Sequence, residues 1–416
     1  MVDTGHYNIN PYLQVLFMMM KSIKSDSGTN SVQISVVMPC LNEEQSIGIC
    51  IKNAVKALDQ TGQTWEIVIA DNGSTDRSAE IAESLGARIV HEPERGYGNA
   101  FLRGISESRG KVVILGDSDN TYDFGQLELF IQPLNEGADM VIGNRFQGKI
   151  HRHAMPWLHR YIGNPVLSKI LNLLFHTGAG DAHCGMRAFK REVFEKINLE
   201  ASGMEFASEM IIKAARMNLE ITEVPIDYFP RQKGSVSKLR SFKDGWRHLR
   251  FMLLYSPTWL FLIPGFGFLG IGLLFLLSLV WGPLQIGDFF LDFHFMALGS
   301  LLAILGVQVV MLGLYAKVYT GVHKLEPTSK LFGFLKKHFR LERGVLAGVL
   351  IFLTGLGINL YILILWLSIG FQGRLYIREV VFAMTFMIVG AQVVFSSFFI
   401  SVLGIEKKGT TGHNSD

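Results

Sequence analysis

Cysteine is scarce in this chain of 416 residues, which has three: Cys40, Cys50 and Cys184. An odd number without a Cys-x-x-Cys pair argues against a disulfide framework and indicates a reduced, cytosolic environment. A zinc site built from His176, His183 and Cys184 is disfavoured, because these residues lack the usual ligand spacing. The net charge of +3 is close to zero, and nucleic acid is not among the expected partners.

Two common nucleotide-binding motifs are missing. Residues 37–43 contain no G-x-G-x-x-G, which disfavours a Rossmann dinucleotide site, and the chain has no Walker A lysine loop. The apolar run at residues 12–20 is short, with neither a basic region before it nor a small-residue cleavage site after it. It therefore does not indicate a secretory signal, and we interpret residues 1–30 as an N-terminal leader.

Charged residues are missing from four long apolar runs in the second half of the chain. Each run has about the 20 residues that a helix needs to cross a bilayer. The predicted transmembrane domain covers residues 260–405, with spans at about 260–281, 295–316, 344–370 and 380–405, and a tail follows at 406–416. Four spans are more than anchoring requires, and the small residues Gly355, Gly357 and Gly390 predict a role in packing a homo-oligomer.

The loops predict how these spans are oriented. The loop between spans two and three is rich in lysine and arginine, whereas the first outer loop carries Asp288 and Asp292 without a basic residue. By the positive-inside rule, the N-terminal domain, the middle loop and the C-terminus are cytoplasmic. Arg374 and Arg378 lie in the other outer loop and weaken this prediction.

An amphipathic segment at residues 238–259 joins the two halves of the chain. Its basic residues are interleaved with aromatic and aliphatic ones, which predicts a helix lying on an anionic membrane surface. An ordinary solvated helix is the alternative. The basic residues are Lys238, Arg240, Lys243, Arg247 and Arg250.

From residue 33 onward, short apolar strands alternate with amphipathic helices. This alternation predicts an α/β domain with a parallel sheet and right-handed crossovers. Ligands of such sheets bind beyond the carboxyl ends of the strands. That rule places residues 39–43, 71–74 and 116–119 along one rim.

Two carboxylates, Asp117 and Asp119, directly follow an apolar strand. They can jointly hold a divalent cation, Mg²⁺ or Mn²⁺, which in turn neutralises a diphosphate. Asp71 ends the second strand, and its carboxylate can accept a hydrogen bond from a nucleobase N–H. For both segments, a turn that caps the next helix is the alternative interpretation.

Together, the three rim segments resemble family-2 glycosyltransferases of the GT-A fold, and in particular the polyprenyl-phosphate (dolichol-phosphate) hexose synthases. The resemblance covers roughly residues 31–240 and implies a GT-A domain over residues 31–237 with a mostly parallel sheet. It implies that Asp117 and Asp119 bind the metal and the diphosphate. The residues it implies around the base and ribose are Pro39, Asn42, Glu43 and Asp71.

Later segments of the chain also match the polyprenyl-phosphate branch. They are residues 143–146, 181–189, 206–210, 224–231 and 234–239. The resemblance implies that the acceptor phosphate and the diphosphate are held by Arg145, Arg187, Arg231, Ser237 and Lys238. It places Glu209 on an acceptor-side helix. One departure is that residues 120–123 replace the usual Leu-Gln, so a metal-side contact is missing or moved to Asp123.

The leading hypothesis is an inverting transfer of a hexose from UDP-glucose or GDP-mannose type donors to polyprenyl phosphate, with Asp119, Arg145 and Glu209 as catalytic residues. The main alternative is transfer to another lipid or to a polysaccharide. A hydroxyl acceptor would require a base, for which Glu209 or Glu205 is the candidate. A non-catalytic sugar-nucleotide sensor is a further alternative, against which the intact aspartate pair argues.

Overall fold

The computed structural model describes residues 31–232, 241–322, 341–370 and 376–404. It divides into two compact units, Met1–Met252 and Leu253–Asp416. The predicted leader, the predicted tail, and Ser237 and Lys238 lie outside the described residues.

A seven-stranded sheet forms the centre of the first unit, in the order β3-β2-β1-β4-β6-β5-β7. Its strands are β1 (Ile34–Cys40), β2 (Trp65–Asp71), β3 (Arg88–His91), β4 (Val112–Leu115), β5 (Met140–Asn144), β6 (Arg187–Lys190) and β7 (Ile221–Pro225). Only β6 runs against its neighbours β4 and β5. The predicted mostly parallel α/β sheet is therefore confirmed. Strand β1 is buried along nearly its whole length, as helices covering both sheet faces require.

Eight helices accompany this sheet in the described part of the first unit. They are α1 (Ile47–Gln60), α2 (Ser78–Ser84), α3 (Tyr97–Glu107), α4 (Glu128–Glu136), α5 (Asn164–Phe175), α6 (Arg191–Ile197), α7 (Phe206–Arg216) and α8 (Ser241–Leu254), the last of which runs just past the division. Helix α2 does not follow β2 directly but begins at Ser78. The Ser74 N–H donates to Asp71 Oδ1 and the Thr75 N–H to Asn42 Oδ1, so these residues form a turn instead.

Four long apolar helices make up most of the described second unit, as predicted. The first is α9 (Ile263–Leu279), preceded by a π-helical turn at Thr258–Leu262. A short hairpin of β8 (Leu284–Ile286) and β9 (Phe289–Leu291) leads to α10 (Phe293–Val322), and α11 (Leu341–Ser368) and α12 (Ile377–Leu403) follow. Each of the four is long and apolar enough to cross a membrane.

Helices α11 and α12 pack backbone against backbone within one chain. A Cβ at Gly390 would lie 2.5 Å from the Phe352 nitrogen, and one at Gly355 would lie 2.4 Å from the Ala383 carbonyl oxygen. Small residues allow this close approach between membrane helices. Two of the three glycines that were expected to pack an oligomer are thus packed inside the chain, whereas a Cβ at the third, Gly357, would meet nothing within 4 Å.

We predict that Gly390→Ala destabilises the second unit, because the added Cβ has to push α12 away from α11. Overpacking of this kind costs roughly 1–3 kcal/mol. The measurement is the apparent Tm of the full chain in detergent, with Gly357→Ala as the matched control on α11. A lower Tm for Gly390→Ala alone is expected, and equal values for both variants would contradict the packing.

Candidate active site

The three rim segments predicted from the sequence meet at the carboxyl ends of β1, β2 and β4. Cys40 is paired with Asp71 in the sheet register. The Asn42 N–H donates to Ser74 Oγ at 3.0 Å, and Ser118 Oγ donates to the Pro39 carbonyl at 2.6 Å. These hydrogen bonds tie the loops after the three strands into one wall.

A cavity of about 410 Å³ opens beside this wall. Its size falls within the range of small-molecule sites. Five of the predicted site residues line it: Pro39, Glu43, Asp117, Asp119 and Arg231. The other lining residues are Cys40, Leu41, Asn72, Arg95, Gly96, Tyr97, Ala100, Ser118, Met204, Lys243, Asp244 and Arg247.

The two carboxylates of the cavity are held by different partners. Asp117 Oδ1 accepts a hydrogen bond from the Tyr97 hydroxyl at 2.9 Å. Asp119 Oδ1 accepts from the N–H and hydroxyl of Thr121, and its Oδ2 lies 2.5 Å from Arg231 Nη2. Desolvation raises the pKa of Asp117 to about 7, and the negative charge of Asp119 adds to the rise. Ionisation of Asp117 is therefore disfavoured in this cavity, and a cation bound beside it would favour the charged form.

Asn42 and Asp71, which were expected at the nucleotide, build the turn beside the cavity rather than its lining. Asn42 adopts a left-handed conformation with φ of 53°, and its Oδ1 accepts the Thr75 N–H at 2.7 Å. Asp71 is buried, and its Oδ1 accepts the Ser74 N–H at 3.1 Å. Both residues thus fix the backbone through which Pro39 and Glu43 reach the cavity wall.

Arg145, expected at the acceptor phosphate, is buried and paired. Its Nε lies 2.6 Å and its Nη2 2.8 Å from the two carboxylate oxygens of Asp181. The guanidinium also lies over the Tyr228 ring, 5.1 Å from its centre. Asp181 was missed by the sequence analysis as a partner, and its charge compensates that of Arg145.

Arg187 is placed differently from the expectation that it binds phosphate. Its side chain is only 2% exposed, and its guanidinium donates to the carbonyls of Ala182, Cys184 and Ala207 at 2.6–2.8 Å. The residue opens β6, and its side chain points into the interior, where these carbonyls need donors. We therefore withdraw Arg187 from the phosphate ligands and assign it to joining the loop before β6 to α7.

Glu209 is also placed differently from the expected catalytic role. Its carboxylate is 1% exposed, accepts the N–H groups of Glu200 and Ala201, and lies 2.7 Å from Lys213 Nζ. These partners make it a structural residue that holds the loop before α7. Glu205, one turn earlier, differs: its Oε2 is buried and has no hydrogen-bond partner among the described atoms.

Four functional residues were missed or assigned elsewhere from the sequence. Tyr97 carries no motif signal at the start of α3, and Arg95 precedes it in the same loop. Lys243 and Arg247 were assigned to the membrane surface, yet both line the cavity. Their spacing of four residues is the signal that could have shown a shared helix face.

Comparisons with known proteins identify the family of the chain. The family model described as Glycosyl transferase family 2 matches residues 35–198, and that of the Glycosyltransferase family 2 C-terminal transmembrane region matches residues 314–404. The low-salt glycan biosynthesis hexosyltransferase Agl6 of Haloferax volcanii is 39% identical over 374 residues, which cover 89% of each chain.

A second relative, a dolichyl-phosphate hexose transferase of the same organism, is 33% identical over 213 residues, or 51% of this chain and 89% of that protein. Among solved structures, glucosyl-3-phosphoglycerate synthase of Mycobacterium tuberculosis with Mn²⁺ and UDP-glucose is 23% identical. It is similar with a TM-score of 0.44 over 61% of this chain and 85% of that one. Given both family matches and the extent of the Agl6 similarity, the chain is an enzyme of glycosyltransferase family 2 with a C-terminal transmembrane region.

Proposed function

We propose that this glycosyltransferase transfers a hexose, with inversion, from a nucleotide-diphosphate sugar to polyprenyl phosphate at the cytoplasmic face of the membrane. One observation carries the proposal: the Asp117 and Asp119 pair shares its cavity with four cationic side chains. Such a cavity suits two phosphate-bearing substrates. The cations are Arg95, Arg231, Lys243 and Arg247. A relative named dolichyl-phosphate hexose transferase supports the same acceptor class.

The aspartate pair fits a divalent cation such as Mg²⁺ or Mn²⁺. Both ligands are hard oxygens, which divalent cations of this kind prefer. Desolvation, and then the charge of Asp119, raise the pKa of Asp117, so a bound cation would favour its ionised form. Bound there, the cation would neutralise the leaving diphosphate. Within the described ranges no group of three or more His, Cys, Asp or Glu side chains could hold a metal, so oxygens of the diphosphate and water would complete its coordination.

The chain's own residues bind and orient the two substrates. Pro39 and Glu43 line the nucleotide side of the cavity, and Arg231, already on Asp119, faces the phosphates. An acceptor phosphate oxygen forms the new bond to the anomeric carbon as the bond to the donor diphosphate breaks, which inverts the configuration. Since that acceptor is already an anion, no protein base is needed. Ser237 and Lys238 stay proposed ligands of the phosphates.

An acceptor with a hydroxyl group, on another lipid or a polysaccharide, is the second candidate. It would need a general base. Glu209 is held by backbone N–H groups and Lys213, which leaves Glu205, whose Oε2 is buried without a partner among the described atoms. The two candidates therefore differ in their dependence on Glu205.

We predict that the purified chain forms a lipid-linked sugar from polyprenyl phosphate and a labelled UDP- or GDP-hexose, and that Glu205→Gln keeps turnover within about twofold of wild type. The measurement is initial-rate kinetics with a donor panel, with Glu195→Gln on the exposed face of α6 as the matched control. A loss of about 10²–10⁴ in kcat for Glu205→Gln would favour a hydroxyl acceptor. No lipid-linked product with any donor would contradict the proposal itself.

The proposed cytoplasmic orientation rests on the sequence between α10 and α11, which carries five lysines and arginines at residues 323–340. Arg378, which weakened the prediction from sequence, forms an ion pair with Asp292 at the other end of the second unit's helices. Arg378 lies in the first turn of α12 and Asp292 directly precedes α10, so the ion pair joins the ends of these two helices.

For the orientation, we expect that Asp288→Cys reacts with a membrane-impermeant thiol reagent in intact cells, whereas Thr328→Cys reacts only after permeabilisation. The three native cysteines are buried and provide the background measured in wild type. The opposite labelling pattern would reverse the proposed topology.

A further inference from the structure

Helix α8 presents different residues to its two sides. Lys243 and Arg247, four residues apart, line the cavity that holds Asp117 and Asp119. Both basic residues are also solvent-exposed, as are the aromatic residues Phe242 and Trp246, at 85% and 61%. Residues four apart share one helix face, so Lys243 and Arg247 form a basic stripe that lines the cavity. The aromatic pair lies on a neighbouring stripe that does not line it.

A buried polar contact fixes the rotation of α8 against α7. His248, next to Arg247, is 6% exposed, and its Nδ1 lies 2.8 Å from Ser208 Oγ. The same hydroxyl lies 3.4 Å from His183 Nε2, and the two imidazole rings meet edge to face at 4.5 Å. Burial lowers the pKa of His248 to about 4, so at neutral pH the contact is between uncharged groups. Turning α8 would break it and carry Lys243 and Arg247 away from the cavity.

The other arginines near the cavity are already bound to groups of the protein. Arg145 pairs with Asp181, Arg231 pairs with Asp119, and Arg187 donates to three carbonyls. Arg95 donates to the Gly73 carbonyl at 3.1 Å. Arg95 and Arg231 still line the cavity, but two phosphate-bearing substrates offer more anionic oxygens than two partly engaged guanidinium groups can bind. The basic stripe of α8 is the further source that the described cavity contains.

We propose that Lys243 and Arg247 bind the phosphate of the acceptor lipid, and that His248 is a positioning residue that holds them there through Ser208. This inference rests on the proposed function. Helix α8 ends at Leu254, and the first membrane-spanning segment begins at Thr258. The chain therefore passes from the end of α8 into that segment within a few residues, and Lys243 and Arg247 belong to the helix that precedes it. A lipid phosphate is presented at the membrane surface. Asp244 also lines the cavity beside Lys243 and Arg247, and its negative charge lowers the net positive charge of this part of α8.

The test is steady-state kinetics of the full chain in detergent, with farnesyl phosphate and a long-chain polyprenyl phosphate as acceptors. For Lys243→Gln/Arg247→Gln we expect the KM for both acceptors to rise at least about tenfold, since each charge-assisted hydrogen bond contributes about that factor. The KM for the donor stays near wild type. Arg250→Gln, exposed on the same helix and outside the cavity lining, is the matched control and leaves both constants unchanged.

His248 is tested with two variants. His248→Ala raises the acceptor KM without changing the donor KM, and His248→Asn, which keeps a polar group near the Nδ1 position, restores a large part of the loss. Inorganic phosphate tests whether the phosphate group alone is recognised. It is expected to compete with the lipid acceptor in wild type and to compete less well in the Lys243→Gln/Arg247→Gln variant.

Several results would overturn the inference. In one, wild type transfers sugar to polyprenyl phosphate while the double variant keeps an unchanged acceptor KM. That result contradicts the inference but not the proposed function. An equal rise for Arg250→Gln indicates general attraction to an anionic surface and also contradicts it. A wild-type chain that transfers to no polyprenyl phosphate overturns the proposed function and the inference together.

Discussion

Two carboxylates held side by side at the end of β4 are the constraint on which the rest of the site depends. Asp119 is buried and Asp117 is half-buried, and desolvation together with the charge of Asp119 raises the pKa of Asp117. The Tyr97 hydroxyl donates a hydrogen bond to Asp117, and the Arg231 guanidinium forms an ion pair with Asp119. The pair can therefore bind a divalent cation, which would neutralise the diphosphate of a sugar nucleotide.

Charge compensation also explains what the nearby arginines do. Arg145 and Arg187 are buried, where an unpaired guanidinium would be strongly unfavourable. One is matched by the Asp181 carboxylate and the other by three carbonyl oxygens. They build the frame around the cavity, whereas the cations on its wall are Arg95, Arg231 and the basic pair of α8. In the proposed reaction, Arg145 and Arg187 keep the site rigid, and the cations that line the cavity bind the phosphates.

Some of this could be read from the sequence because it depends on local pattern. Strand ends in a parallel sheet converge, which brought Pro39 and Asp117 to one rim, and hydropathy alone gave the four apolar helices. The structural roles of Arg187 and Glu209 could not be predicted in this way, because a motif does not reveal that a side chain points inward and binds backbone groups. Likewise, a glycine such as Gly390 signals close packing without saying whether its partner is the same chain or another copy. These choices are made by tertiary contacts that no window of sequence contains.

The most direct test measures how the ionisation of Asp117 changes the stability of the folded chain. The pKa of Asp117 is raised from 3.8 to about 7 in the folded chain, so its ionisation opposes folding as the pH rises through this interval and fully so above pH 7. In chelator, Asp117→Asn should therefore have a higher apparent Tm than wild type at pH 8, and the difference should shrink toward pH 4. Added Mn²⁺ should stabilise wild type only, and the exposed Glu83→Gln should match wild type throughout. A variant that is less stable than wild type at pH 8 without metal, or a difference independent of pH, would contradict the claim that the site is built around an undercompensated carboxylate pair.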